Sequence, residues 1–181
     1  MSVLMGAGGR VLALFTHRRL REYPVTGGPS TLRESVRDPL LQDAAVRLLR
    51  HIGWTGVAMV EFKRRPDGFE LLEINPRFWG SLALAVEAGV DFPTLLVKWA
   101  RGETFEPVTA WAEGVRARVF FPGDVLHWLR NPDRASMNPS LLDFSARDDY
   151  WRRDDPAPAA ALALSVLTGL FHREWRRFLR G

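Results

Sequence analysis

Short apolar runs alternate with polar punctuation along the 181-residue chain, and the period of each run predicts its element. Ser2 to Met5 and Arg10 to His17, separated by Gly6-Ala7-Gly8-Gly9, have the pattern of a β-hairpin. Arg18 to Pro29 is a basic connection marked by proline and glycine. Thr31 and Glu34 behind it have capping-box spacing and predict the start of a helix. A second helix follows Asp38-Pro39, with Leu40, Leu41, Ala44, Ala45, Leu48 and Leu49 as its apolar stripe and Gly53 as its stop. Val57 to Lys63 and Phe69 to Asn75 predict two strands joined by a turn over Arg64-Arg65-Pro66-Asp67-Gly68. Leu82 to Ala88 and Pro93 to Arg101 predict short helices ended by Gly89 and Gly102, and Val115 to Phe121 predicts a strand. From Gly123 the periodicity is lost. It returns in a helix from about Ala159 to Leu179, apolar at Leu162, Val166, Leu170 and Phe171 and basic at Arg173, Arg176, Arg177 and Arg180, with Asp154 and Asp155 at its start. The expectation is an α+β fold: an antiparallel sheet flanked by helices over residues 1–105, then an irregular extension with a long terminal helix over 106–181.

Composition narrows the setting. With 46% hydrophobic and 25% charged residues, the chain is ordinary globular material and neither disordered nor collagen-like. The absence of cysteine excludes disulfides, thiolate nucleophiles and zinc-thiolate sites, and fits a cytoplasmic location. Lys63 and Lys98 are the only lysines among 25 basic residues, and the net charge of +4 is modest for this length, so no nucleic-acid partner is expected. No apolar run reaches the roughly 20 residues of a spanning helix. For the terminal helix, docking on the domain surface is preferred over peripheral attachment to a membrane.

The chemistry gathers in the predicted central hairpin. Glu61 and Glu73 lie twelve positions apart with Asp67 midway, so a ribbon centred on Asp67 sets the two carboxylates opposite each other, with Asn75 on the same face. Met59, Lys63, Phe69 and Leu71 are expected on that face, and Val60, Phe62, Leu72 and Ile74 on the other, against helices. Opposed carboxylates destabilise a ribbon unless something neutralises them. Two carboxylates and an amide oxygen suit Mg²⁺ held together with nucleotide phosphates, whereas a one-residue slip would separate the glutamates. The competing reading is a solvated hairpin face with two unrelated glutamates. Against it stands Leu71-Leu72-Glu73-Ile74-Asn75-Pro76-Arg77, which embeds a carboxylate in an apolar strand and ends on proline and arginine.

Val60-Glu61-Phe62 followed by Glu73-Ile74-Asn75-Pro76-Arg77 resembles the metal-binding core of the ATP-grasp superfamily, especially the branch with carbamoyl phosphate synthetase and biotin carboxylase. The flanking His17 to Glu22 stretch, the Gly27-Gly28-Pro29-Ser30 loop and the Gly53-Trp54-Thr55-Gly56 turn are similar in order, over roughly Ser2 to Gly102. The resemblance implies that Glu61, Glu73 and Asn75 hold Mg²⁺ (or Mn²⁺) bridging ATP phosphates and that Arg77 steadies an acyl phosphate. Arg19 or Arg21 would then reach a terminal phosphate. It also implies ATP and a small carboxylate as substrates, and ligation of that carboxylate to an amine or thiol. His17 as an acid or base, the Gly27 to Ser30 loop as an anion cradle, and Phe78 and Trp79 as pocket walls are weaker expectations. The phosphate-holding lysines and Gly-rich lid of the superfamily have no counterpart before the hairpin. The chain is therefore expected to act as the C-terminal half of such a ligase, binding ATP weakly alone, with the other half as a possible separate chain. The alternative is a catalytically silent binding or partner module.

Overall fold

Asp38 accepts a hydrogen bond from the Leu41 backbone N–H (3.2 Å) and Pro39 opens the first turn, so helix α1 (Pro39–His51) begins where its cap and proline require. The computed structural model describes residues 1–169. Among them the chain forms two mostly antiparallel four-stranded sheets and five α-helices, an α+β fold. It divides into two compact units, one of Met1–Arg18 with Ser35–Val115 and one of Arg19–Glu34 with Arg116 onward.

In the first unit the sheet has the order β2 (Val11–Phe15), β1 (Ser2–Met5), β5 (Gly56–Arg65), β6 (Gly68–Asn75), antiparallel throughout. Strand alternation sends Val3, Met5, Ala58 and Val60 to one face. There they form a core with Met1 and with Ala45 and Leu49 of α1, and Leu48, Trp54, Phe62 and Ile74 pack against it. Helices α2 (Leu82–Glu87) and α3 (Phe92–Ala100) bury Leu84, Ala85, Phe92 and Leu95. Asp91 caps α3 through the Thr94 N–H (3.0 Å).

The second sheet runs β3 (His17–Glu22), β4 (Ser30–Ser35), β7 (Arg116–Arg118), β8 (Arg147–Asp148), with β7 and β8 parallel. Here two expectations are corrected. The first part of the expected Arg18 to Pro29 connection, through Glu22, lies in strand β3, and Thr31 to Glu34 belong to strand β4 rather than to a helix start. Glu34 does not close a capping box; its carboxylate accepts from Arg116 Nε at 2.8 Å. Thr31, Leu32, Arg33, Glu34 and Ser35 are all buried, and a strand buried on both faces satisfies its backbone in the ladder, a demand that local capping spacing does not register. The irregular segment after Gly123 contains a short helix, α4 (Val125–Arg130). The terminal helix, α5, is described over Ala157–Gly169, and its expected continuation to Leu179 lies outside the described residues.

Candidate functional site

The central hairpin turns more tightly than its sequence symmetry suggests. Arg65 pairs with Gly68, leaving only Pro66 and Asp67 in the turn. Continued without interruption, that pairing would set Glu61 against Leu72 and place the two glutamates on opposite faces. The ladder instead passes from Phe62↔Leu71 to Glu61↔Glu73, so Leu72 is the extra residue of a β-bulge. Beyond it Val60 faces Ile74 and Met59 faces Asn75.

The bulge brings Glu61, Glu73 and Asn75 together. Asn75 Nδ2 donates to Glu73 Oε1 at 2.7 Å and lies 3.5 Å from Glu61 Oε1. Glu73 is exposed and Glu61 half-buried, so the pair opens to solvent from the edge strand of its sheet. The bulge also corrects the expected faces of the outer ribbon. Phe69 and Leu71 stand opposite Arg64 and Phe62, and the Phe62 and Phe69 rings meet edge to face at 5.2 Å. Leu72, expected against the helices, is 58% exposed.

Deleting Leu72 therefore has a defined expected outcome. The two-residue turn would run on without its bulge into a regular ladder that still sets Glu61 against Glu73 and Met59 against Asn75. Mn²⁺ affinity measured by electron paramagnetic resonance should therefore stay within about threefold of the parent's, and a loss of the signal would contradict the register.

Arg77 follows two residues after Asn75 and is exposed, its guanidinium donating to the Phe78 carbonyl at 2.9 Å. Trp79 is a core residue, 4% exposed and edge-on to Phe92 at 5.1 Å, whereas Phe78 is partly exposed. His17 Nε2 lies 3.0 Å from Ser81 Oγ, and its ring stacks on Phe15.

Burial and charge meet again at the amino terminus. The Met1 amine is buried and donates to the Val60 carbonyl at 3.1 Å; burial lowers its pKa from 8.0 to about 6, against the attraction of Glu61. Because the folded state releases this proton sooner than the unfolded chain, stability is full above pH 8 and declines as pH falls from 8 to 6. For the chain beginning at Met1 the loss is about 3 kcal/mol. Urea midpoints at the two ends of that window check it; equal midpoints would contradict it.

Arg19 and Arg21 belong to the second unit. Arg19 donates to Glu22 (2.7 Å) and to the Gly28 carbonyl (2.9 Å). Arg21 is buried, and its guanidinium binds Asp124 Oδ2 at 2.9 Å and the Pro139 carbonyl. Arg118 approaches the same Asp124 oxygen at 2.9 Å, with Phe120 4.6 Å from its guanidinium. Burial pushes the Asp124 carboxyl up while the two guanidinium groups pull it down. The Gly27 to Ser30 loop leads into strand β4, so no helix N-terminus stands behind it. A Cβ on Gly28 would fall 2.2 Å from the Tyr23 carbonyl oxygen, which makes the loop a tight turn. The buried acid Asp124 escaped sequence reasoning because it stands in an aperiodic stretch where nothing separates a core carboxylate from a solvated one.

The family model described as "ATP-grasp in the biosynthetic pathway with Ter operon" matches residues 3–120, well over half of the chain and all of the hairpin. The chain belongs to the ATP-grasp family. A carbamoyl phosphate synthase large chain from Rubrobacter xylanophilus is 31% identical over 102 residues, which are 54% of this ATP-grasp chain and 10% of that protein. The chain thus spans about a tenth of the length of this curated relative. Both likenesses bear out the superfamily resemblance drawn from Glu61, Glu73 and their surroundings.

Proposed function

We propose that this ATP-grasp chain supplies the metal- and phosphate-holding face of a ligase that joins a small carboxylate to an amine or thiol through an acyl phosphate. The observation that supports this reading most directly is the bulge-set pairing of Glu61 with Glu73, bridged by the Asn75 amide. Two carboxylates and an amide fit a hard divalent ion, with phosphate oxygens and water completing its shell. Among the described residues, the hairpin included, no three His, Cys, Asp or Glu side chains gather to hold a metal by themselves, so this reading needs Asn75 and phosphate oxygens to complete the ligand set.

Glu61, Glu73 and the Oδ1 of Asn75 would hold Mg²⁺ or Mn²⁺, which when bound neutralises the phosphate oxygens of ATP and the charge that develops as the γ-phosphoryl group leaves. Arg77 has the exposure and the five-donor fork needed to grip an acyl phosphate or its oxyanion. Arg19, exposed on β3, is the better of the two basic candidates for a terminal phosphate. Arg21 is committed to Asp124 and serves the fold. The lysine-bearing and lid elements of a complete enzyme would come from residues other than these 181, as a further part of the protein or as a partner chain. On this reading the chain alone binds ATP weakly.

Titration of the chain with Mn²⁺, with and without millimolar ATP, tests the proposal. Binding of Mn²⁺ should strengthen with ATP and weaken in Glu73→Gln and Glu61→Gln. A resonance signal indifferent to both glutamates would remove the metal site from the hairpin, and with it the ligase reading.

A further inference from the structure

The register of the first sheet brings one more polar group level with the two glutamates. Ser2 pairs with Phe15 on one side and with Met59 on the other, and Met59 pairs with Asn75, so these four residues form one row and share a face. In the next row Met1 stands between Thr16 and Val60. Thr16 Oγ1 donates to Met1 Sδ at 3.0 Å, and the Val60 N–H donates to the Met1 carbonyl. One residue further on, His17 comes level with Glu61 and Glu73, on the face that carries Asn75. Its ring stacks on Phe15, 5.8 Å between centroids, which agrees with that side. Two strand spacings, about 10 Å, separate His17 from Glu61.

Ser81 holds this imidazole at the expense of a local bond. It stands at the start of α2, where a serine hydroxyl ordinarily accepts from a helix N–H, yet its side chain makes no cap. Its Oγ lies instead 3.0 Å from His17 Nε2, 64 positions away in the chain. A hydroxyl beside an imidazole is an arrangement in which the ring takes a proton through the oxygen. Gly80, next to Ser81, is exposed, and the space where its Cβ would stand is open. Both partners belong to the same unit as the hairpin. The segment from Asn75 to Ser81 therefore leads from the glutamate pair to His17, with the exposed Arg77 along it.

We propose that His17, through Ser81, accepts the proton of an amine that attacks the acyl phosphate. The inference rests on the ligase reading above and names the nucleophile for it. The separation leaves room between the glutamates and His17 for an acyl phosphate and the nitrogen that attacks it. That nitrogen forms a bond to the acyl carbon, and the carbon–oxygen bond to phosphate breaks, phosphate leaving with the electron pair. The amine proton passes to Ser81 Oγ as the hydroxyl proton moves to His17 Nε2. A thiol is already partly ionised near neutral pH and has less need of such an acceptor, whereas an amine keeps its proton until the bond forms.

The full 181-residue chain, given Mg²⁺, millimolar acetyl phosphate and glycinamide, tests this by the rate at which N-acetylglycinamide forms. The chain should form the amide faster than Mg²⁺ alone. His17→Gln and Ser81→Ala should each lower the protein-dependent rate about a hundredfold, and Ser81→Thr, which keeps a hydroxyl, should restore most of it. Hydroxylamine attacks as a neutral nucleophile and needs no base, so parent and His17→Gln should acetylate it alike; a purely structural role would lower both reactions together. Independently of any turnover, Mn²⁺ bound to the chain should broaden the His17 ring signals in the proton magnetic resonance spectrum, and Glu73→Gln should remove the broadening. Circular dichroism checks folding, and should His17→Gln fail to fold, Ser81→Ala decides. Amide formation equal in parent and variants, no faster than with Mg²⁺ alone, or lowered as far with hydroxylamine as with glycinamide, would each overturn the assignment. Should Mn²⁺ bind the hairpin while the His17 signals stay sharp, this inference alone falls; should Mn²⁺ not bind there at all, the ligase reading falls first and takes it along.

Discussion

If the proposed ligase reading holds, Glu73→Gln should lower Mg-ATP turnover to about a hundredth to a thousandth of its level with the remaining elements supplied, the usual consequence of removing one charge-stabilising group from a phosphoryl-transfer site. The substitution keeps the shape and the Asn75 contact but removes the negative charge that distinguishes a metal ligand from a neutral neighbour. Stability should hardly change, because Glu73 is exposed. Steady-state phosphate release, measured with the remaining elements of the enzyme supplied, checks the loss, and a urea melt of the same variant checks the fold. A silent binding module would be indifferent to the change, so full activity in the variant, or Mn²⁺ binding equal to that of the parent chain, would refute the ligase reading.

The largest stability effect is expected from Asp124→Ala. Asp124 is fully buried between the guanidinium groups of Arg21 and Arg118, and removing it leaves two buried cations facing each other. Breaking a buried ion pair from one side costs about 3–5 kcal/mol, much of it the penalty of the charges left unpaired. Asp124→Asn should lose less, since an amide oxygen still accepts from one guanidinium. Chemical denaturation of both variants, followed by tryptophan fluorescence, separates the two losses. A midpoint unchanged in Asp124→Ala would show that the network contributes nothing net. The prediction also explains why Arg21 is poorly placed to serve a phosphate: its removal from Asp124 would carry a similar penalty.

Legibility in the sequence followed the range of the interactions involved. The hairpin, α1 with its Asp38 cap, and the α2 and α3 pair rest on signals within a few residues: alternation, a capping side chain, a stop glycine. The sheet of β3, β4, β7 and β8 rests on pairing between distant segments, as Leu32 with Arg118. Its strands carry arginines where an apolar pattern would be sought, because Arg33 and Arg118 are buried and matched by acids from the aperiodic region, Asp149 and Asp124. Thr31 and Glu34 show the same limit, since their capping spacing is real and ladder pairing overrides it.

The composition of the candidate site, two glutamates, an asparagine and an arginine around Pro76, was settled by the amino-acid sequence by itself, as was the α+β class, since both depend on residue type and local period. Whether the glutamates share a face was decided by tertiary structure. A tight Pro66-Asp67 turn alone would have parted them, and the single extra residue Leu72 restores their register. Side-chain direction in a strand has period two, so one unpaired residue reverses everything beyond it, and only the pairing of the whole ribbon determines where that residue falls.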